Sequence, residues 1–177
     1  MKHNEKVQRQ YEVLRCLNGL PRMMLILKER DNIPEFVLHD LCHPNCFNLR
    51  KAAYFVDNPD FDCLRGVVGL SRDEVYFDKQ TIWDKPDDFS HLMQLSPFNQ
   101  KVRTIEHSSL KRTNGSEQAF VQELAQMLGI TQPTACTWDM KFDNYGLLIF
   151  EKEAFDDTTV DEYLLNGVSI LSFCPLC

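Results

Sequence analysis

Thr137-Trp138-Asp139-Met140-Lys141-Phe142 and Leu147-Leu148-Ile149-Phe150-Glu151 flank Asp143-Asn144-Tyr145-Gly146. The outer segments are rich in aromatic and apolar side chains, and the middle holds turn-forming types, so the stretch reads as a β-hairpin with about a four-residue loop. A loop that short joins only antiparallel strands, because a parallel pair needs a crossover of a dozen or more residues. The hairpin therefore sets the character of the sheet.

Helical patterns lie on either side. Upstream, Phe120, Val121, Leu124, Met127 and Leu128 form one apolar stripe that ends at Gly129. Thr113-Asn114-Gly115-Ser116 reads as the turn before it, with Ser116 or Asn114 as cap. Downstream, Thr158 or Thr159 caps a last helix. Asp161 and Glu162 in its first turn suit the helix dipole, and Tyr163, Leu164, Val168 and Leu171 run toward Phe173.

Further toward the N-terminus the pattern predicts strands over Phe61 to Leu70, Asp73 to Phe77 and Val102 to Ile105. Gly66 and Gly69 in the first of these point to bulges or close packing. Asp57-Asn58-Pro59-Asp60 is turn chemistry. Lys51 to Val56 fits helix or strand equally, since a short apolar run has no decisive period. Residues 78–100 carry Trp83, Pro86 and Pro97 with little periodicity, which predicts an ordered irregular loop with a short helix near Asp88 to Leu95.

The first 48 residues read as mainly helical. Val7, Tyr11, Leu14 and Asn18 fall at helical spacing, and Asn18-Gly19 is a stop signal. Pro21 opens a second apolar segment from Met23 to Leu27. Asn32 caps a third helix from Pro34 to Cys42, which Pro44 ends by disfavouring helical geometry at His43. The sum is an α+β fold over 1–177 as a single domain. An antiparallel sheet packs against helices, with a helical N-terminal region (1–48) and a sheet with covering helices (49–177).

Composition narrows the function classes. The chain has 177 residues, 44% hydrophobic and 25% charged, as in a folded globular protein. Its net charge is −7 and its basic residues occur at most in pairs such as Arg50-Lys51, so the expectation is no nucleic-acid partner. No apolar run approaches the ~20 residues of a membrane span. Residues 2–6 are polar and charged and lead into an amphipathic segment, unlike a secretion signal. With seven cysteines, an odd number, these features predict a cytoplasmic protein with free or metal-bound thiols rather than a disulfide framework. The last four residues formally match a prenylation pattern at Cys174, without the polybasic segment that usually accompanies it.

Chemistry concentrates in His39-Asp40-Leu41-Cys42-His43-Pro44-Asn45-Cys46 and in Cys174-Pro175-Leu176-Cys177. Zinc takes about four nitrogen or sulfur ligands, and His39, Cys42, His43 and Cys46 supply that number, with Asp40 placed to orient an imidazole. Cys174 and Cys177 offer a way to complete the site across the fold. The bland reading makes the cysteines small buried hydrophobes and the histidines helix-end groups. As a redox dithiol the terminal pair is poorly placed, since it follows a helix rather than opening one. The carboxylates of Asp57, Asp60 and Asp62 depart from the calcium-loop pattern and read as a surface turn. His91 and His107 stand alone, and the chain holds no Gly-x-Ser-x-Gly, no phosphate-binding loop and no dinucleotide fingerprint.

Three functions follow as expectations. The first is a metal-binding protein, with zinc as cofactor, in a structural or regulatory role. The second is a ligand-sensing or protein-interaction module without metal. It uses an apolar pocket or the first helix and admits a homodimer. The third is a thiol enzyme with Cys42 or Cys46 as nucleophile and His39 or His43 as base.

Overall fold

The computed structural model describes residues 2–75, 82–111, 117–153 and 161–175. The hairpin is present: β4 (Thr134–Asp139) and β5 (Tyr145–Lys152) pair antiparallel, with Met140 N–H donating to the Asn144 carbonyl across the connection. With β1 (Leu49–Asn58), β2 (Cys63–Ser71) and β3 (Glu106–His107) they form one antiparallel sheet in the order β3-β2-β1-β5-β4. The fold is α+β, as the element order predicts.

The ambiguous segment Lys51 to Val56 is part of the central strand. Ala52, Ala53, Tyr54 and Phe55 are all fully buried, because helices cover both faces of the sheet. A doubly covered strand has no polar face, and so no alternation to read. Ala52, Tyr54, Val68, Leu70, Leu148 and Phe150 belong to one core, which α1 (Lys2–Ile26), α2 (Ile33–Cys42), α3 (Pro86–Leu95) and α6 (Asp161–Val168) complete. Ala53, Phe55, Leu64, Leu147 and Ile149 belong to the other, built with α4 (Pro97–Arg103) and α5 (Glu117–Leu128).

Several local expectations are corrected. The helix break at Asn18-Gly19 does not occur; α1 runs on through Gly19 and Pro21 to Ile26. Val13, Leu20 and Leu27, seven residues apart, are the buried positions, whereas Val7, Tyr11 and Leu14 are exposed. Continuing the helix keeps Leu20 in the core, and that burial outweighs the local stop signal. The short helix expected near Asp88 to Leu95 is present as α3, but the rest of the 78–100 segment is not one irregular loop: a second helix, α4, begins at Pro97, and residues 78–81 lie outside the described residues. Pro86 and Pro97 open α3 and α4, where the first helical turn needs no proline N–H.

Asp73 to Val75 form a turn rather than a strand; Tyr76 and Phe77 lie outside the described residues. Glu74 caps α4 instead, its Oε2 accepting from Ser96 Oγ at 2.5 Å and from Phe98 N at 3.1 Å. Val102 to Ile105 is not a strand either. Val102 sits in α4, packed where Gly66 and Gly69 of β2 leave space, and pairing begins only at Glu106. The predicted caps at Asn114, Ser116, Thr158 and Thr159 lie outside the described residues. Asn32 precedes α2 but makes no side-chain cap; its amide donates to Glu35 Oε2 and Ser90 Oγ, both at 2.8 Å. Among the described residues no helix is long and apolar enough to cross a membrane.

Candidate functional site

α2 is buried along almost its whole length and ends as Pro44 requires, with His43 at ψ 144°. The segment that follows turns back on itself. Cys46 N–H and Asn48 N–H both donate to the His43 carbonyl, and Phe47 N–H donates to the Leu41 carbonyl. Arg9 of α1 locks this turn from outside, donating to the Pro44 carbonyl at 2.6 Å and the Cys46 carbonyl at 2.5 Å.

Inside the turn, Asp40 is the organising carboxylate. Its Oδ2 accepts from Trp83 Nε1 at 2.7 Å and its Oδ1 lies 3.1 Å from His39 Nδ1. The His39 ring stands edge-on to Phe89, with centroids 5.2 Å apart. His43 faces the opposite way in function: its Nδ1 accepts from Asn45 N–H at 3.1 Å, so the ring is neutral in that bond. Burial pushes the His43 imidazole below its ordinary value. His39, Arg72 and Arg9 act in the same direction and Asp40 against them.

The thiols are placed for packing. Cys42 is fully buried, and burial pushes its thiol far above the ordinary range. Cys46 is also buried and shifted upward, first by burial and then by a hydrogen bond with Cys16 of α1. Burial pushes Cys174 up to about 12. Only the thiolate is a strong nucleophile or metal ligand, so each of these groups must first overcome desolvation.

His39 and His43 are brought near each other, with ring centroids 6.4 Å apart. Among the described residues, however, no group of three or more His, Cys, Asp or Glu side chains is arranged to hold a metal ion. Cys177 lies outside the described residues. Cys174 lies near Tyr54, whose hydroxyl is pushed upward by burial first and by Cys174 second, and it also lines a groove on the outer surface.

That groove is the second candidate. One wall is Pro21, Met24 and Leu25 on successive turns of α1, extended by Lys28 beyond the helix end. The opposite wall is Ile170 and Phe173 of the C-terminal 3-10 segment (Ser169–Phe173) and Cys174 just after it, with Ile33 of α2 also in the lining. It encloses about 670 Å³. Leu25 and Phe173 form the rim and are 70% and 74% exposed. Lys28 is the single charged side chain among its lining residues.

Arg9, Cys16 and Trp83 converge on the His39–Cys46 turn from distant parts of the chain and carry no local signal in the sequence. The groove left one trace there. Met23-Met24-Leu25-Ile26-Leu27 has no polar position, and a helix apolar all round cannot bury every side when only one faces the core.

Compared with known proteins, the chain matches no family model, no curated protein and no solved structure, so its functional reading rests on geometry.

Proposed function

We propose that this protein is a binding module for a small amphiphile, an apolar chain with an anionic head, held in the groove between the end of α1 and the C-terminal 3-10 segment. The carrying observation is the lining: apolar walls from three elements and one cation, Lys28, at the same opening. Its volume of about 670 Å³ suits a ligand rather than a filled core gap. Met24 gives a wall that adapts to ligand shape. Covering Leu25 and Phe173 removes apolar surface from water, roughly 25 cal/mol per Å² before binding costs. The groove carries this reading rather than the His39–Cys46 turn, whose thiols are desolvated and whose described donors form no metal-holding group.

The test compares dodecanoate with dodecanol by thermal shift and by displacement of an anionic naphthalene dye. Dodecanoate is expected to raise Tm and displace the dye, and dodecanol to bind more weakly. At a hundredfold excess over Kd, linkage adds about 2.7 kcal/mol to stability. Leu25→Glu and Phe173→Ala, both at exposed positions, weaken binding by about tenfold or more while leaving the unliganded fold intact. Lys28→Glu removes the preference for the carboxylate. No shift with either probe, or equal binding by all three variants, refutes the proposal.

A further inference from the structure

α1 presents a second apolar row, turned away from the core. At the helical step of about 100° per residue, Val7, Tyr11, Leu14, Pro21 and Leu25 all fall within roughly 60° of Asn18. All five are exposed, Val7 at 51% and Tyr11 at 60%. The buried positions Val13 and Leu20 lie on the opposite side of the helix. Arg15 and Arg22 are exposed within the same outward arc, whereas Glu5 and Glu12 fall about 120° or more from Asn18. No acidic side chain of α1 therefore shares the outward face. The helix as a whole sets Lys2, Lys6, Arg9, Arg15 and Arg22 against those two glutamates, so it is net basic in a chain of net charge −7. The row runs about 27 Å along the axis. Its last members, Pro21 and Leu25, also line the groove.

We propose that this face docks on an anionic lipid surface, with α1 lying in the plane of the headgroups. Val7, Tyr11, Leu14 and Leu25 enter the boundary between headgroups and acyl chains, and Arg15 and Arg22 meet the lipid charges. A helix that lies on a surface needs no apolar run of membrane-spanning length. The acidic remainder of the chain does not prevent contact. Charges are screened beyond about 8 Å at physiological salt, so those on the contacting face decide.

A second copy fits this face less well. Any pairing of α1 with α1 through the row brings Arg15 and Arg22 of both copies into one interface, where like charges repel. Asn18 and Pro21 also interrupt the continuous apolar seam that a helical partner packs against. A lipid surface has no fixed holes to fill and tolerates both. Docking places Leu25, and with it the mouth of the groove, at the lipid boundary. Loading of the groove from the lipid rests on the reading of that groove as an amphiphile site; the docking rests on α1 alone.

The experiment floats the full chain with vesicles of phosphatidylcholine alone or of equal parts phosphatidylcholine and phosphatidylserine. The chain is expected to float with the mixed vesicles and to bind phosphatidylcholine alone at least about tenfold more weakly. Raising salt from about 0.1 M to about 1 M, which shortens the screening length from about 10 Å to about 3 Å, releases it. Arg15→Glu with Arg22→Glu weakens binding at least about twentyfold, and Tyr11→Ser with Leu14→Ser about tenfold. All four positions are exposed, so circular dichroism and Tm stay close to wild type. The arginine double variant keeps its response to dodecanoate, because neither residue lines the groove, and Phe173→Ala loses that response but keeps vesicle binding. Vesicle binding without a dodecanoate response leaves the docking standing and removes the groove reading; the reverse result overturns the docking alone. Equal binding to both kinds of vesicle, or binding that survives both double variants, also overturns it. A wild type that ignores vesicles but sediments as a dimer, dissolved by Tyr11→Ser with Leu14→Ser, assigns the face to a second copy instead.

Discussion

Trp83 donates its indole N–H to Asp40 at 2.7 Å, and this bond ties residues upstream of α3 to the last turn of α2. The same carboxylate meets His39 through its other oxygen, so one side chain holds two rings in place. Trp83→Phe keeps most of the packing against Phe36 but removes the donor. A hydrogen bond to a charged acceptor is worth about 1.5–3 kcal/mol. The expected result is a loss of that size in urea unfolding with an unchanged m-value, and a loss under about 0.5 kcal/mol counts against the assignment.

Acid sensitivity follows from His43. Its folded-state value lies below the ordinary one because of burial and nearby cations, so the unfolded chain binds the proton more readily. Stability is then complete above the unfolded value near 6.5 and declines as pH falls through the lower folded one. Protonation also destroys the acceptor for Asn45 N–H. The urea midpoint is expected to fall between pH 7.5 and pH 5, and to fall less in His43→Gln. An equal decline in both proteins refutes the role of His43.

Gly66 sets how closely α4 approaches the sheet. A Cβ there would lie 1.9 Å from the Val102 carbonyl oxygen, a backbone atom with no rotamer to escape by. Gly66→Ala therefore pushes α4 off β2, at a cost of about 3 kcal/mol. Gly19→Ala, in open space on α1, is the matched control and is expected to stabilise by about 0.5–1 kcal/mol. A Gly66→Ala protein as stable as wild type removes this account of the contact.

Sequence by itself determined the α+β class, the presence of the hairpin though with its turn placed about two residues late, the helix that ends at Gly129, the end of α2 before Pro44 and the close packing at Gly66 and Gly69. These are local matters: turn chemistry, periodicity and proline geometry act over a few residues. Tertiary structure alone decided that β1 is the central strand, because a run covered on both faces has no period of its own. It also decided that α1 passes through Gly19 and Pro21, where burial of Leu20 outweighs a local stop signal. The cysteine-rich segment was legible as a place but not as a chemistry. Its neighbours Arg9, Cys16 and Trp83 arrive from other elements, and only their packing shows that its thiols are desolvated. The groove was less legible still, since an apolar residue on a helix looks the same in sequence whether it faces a core or open water.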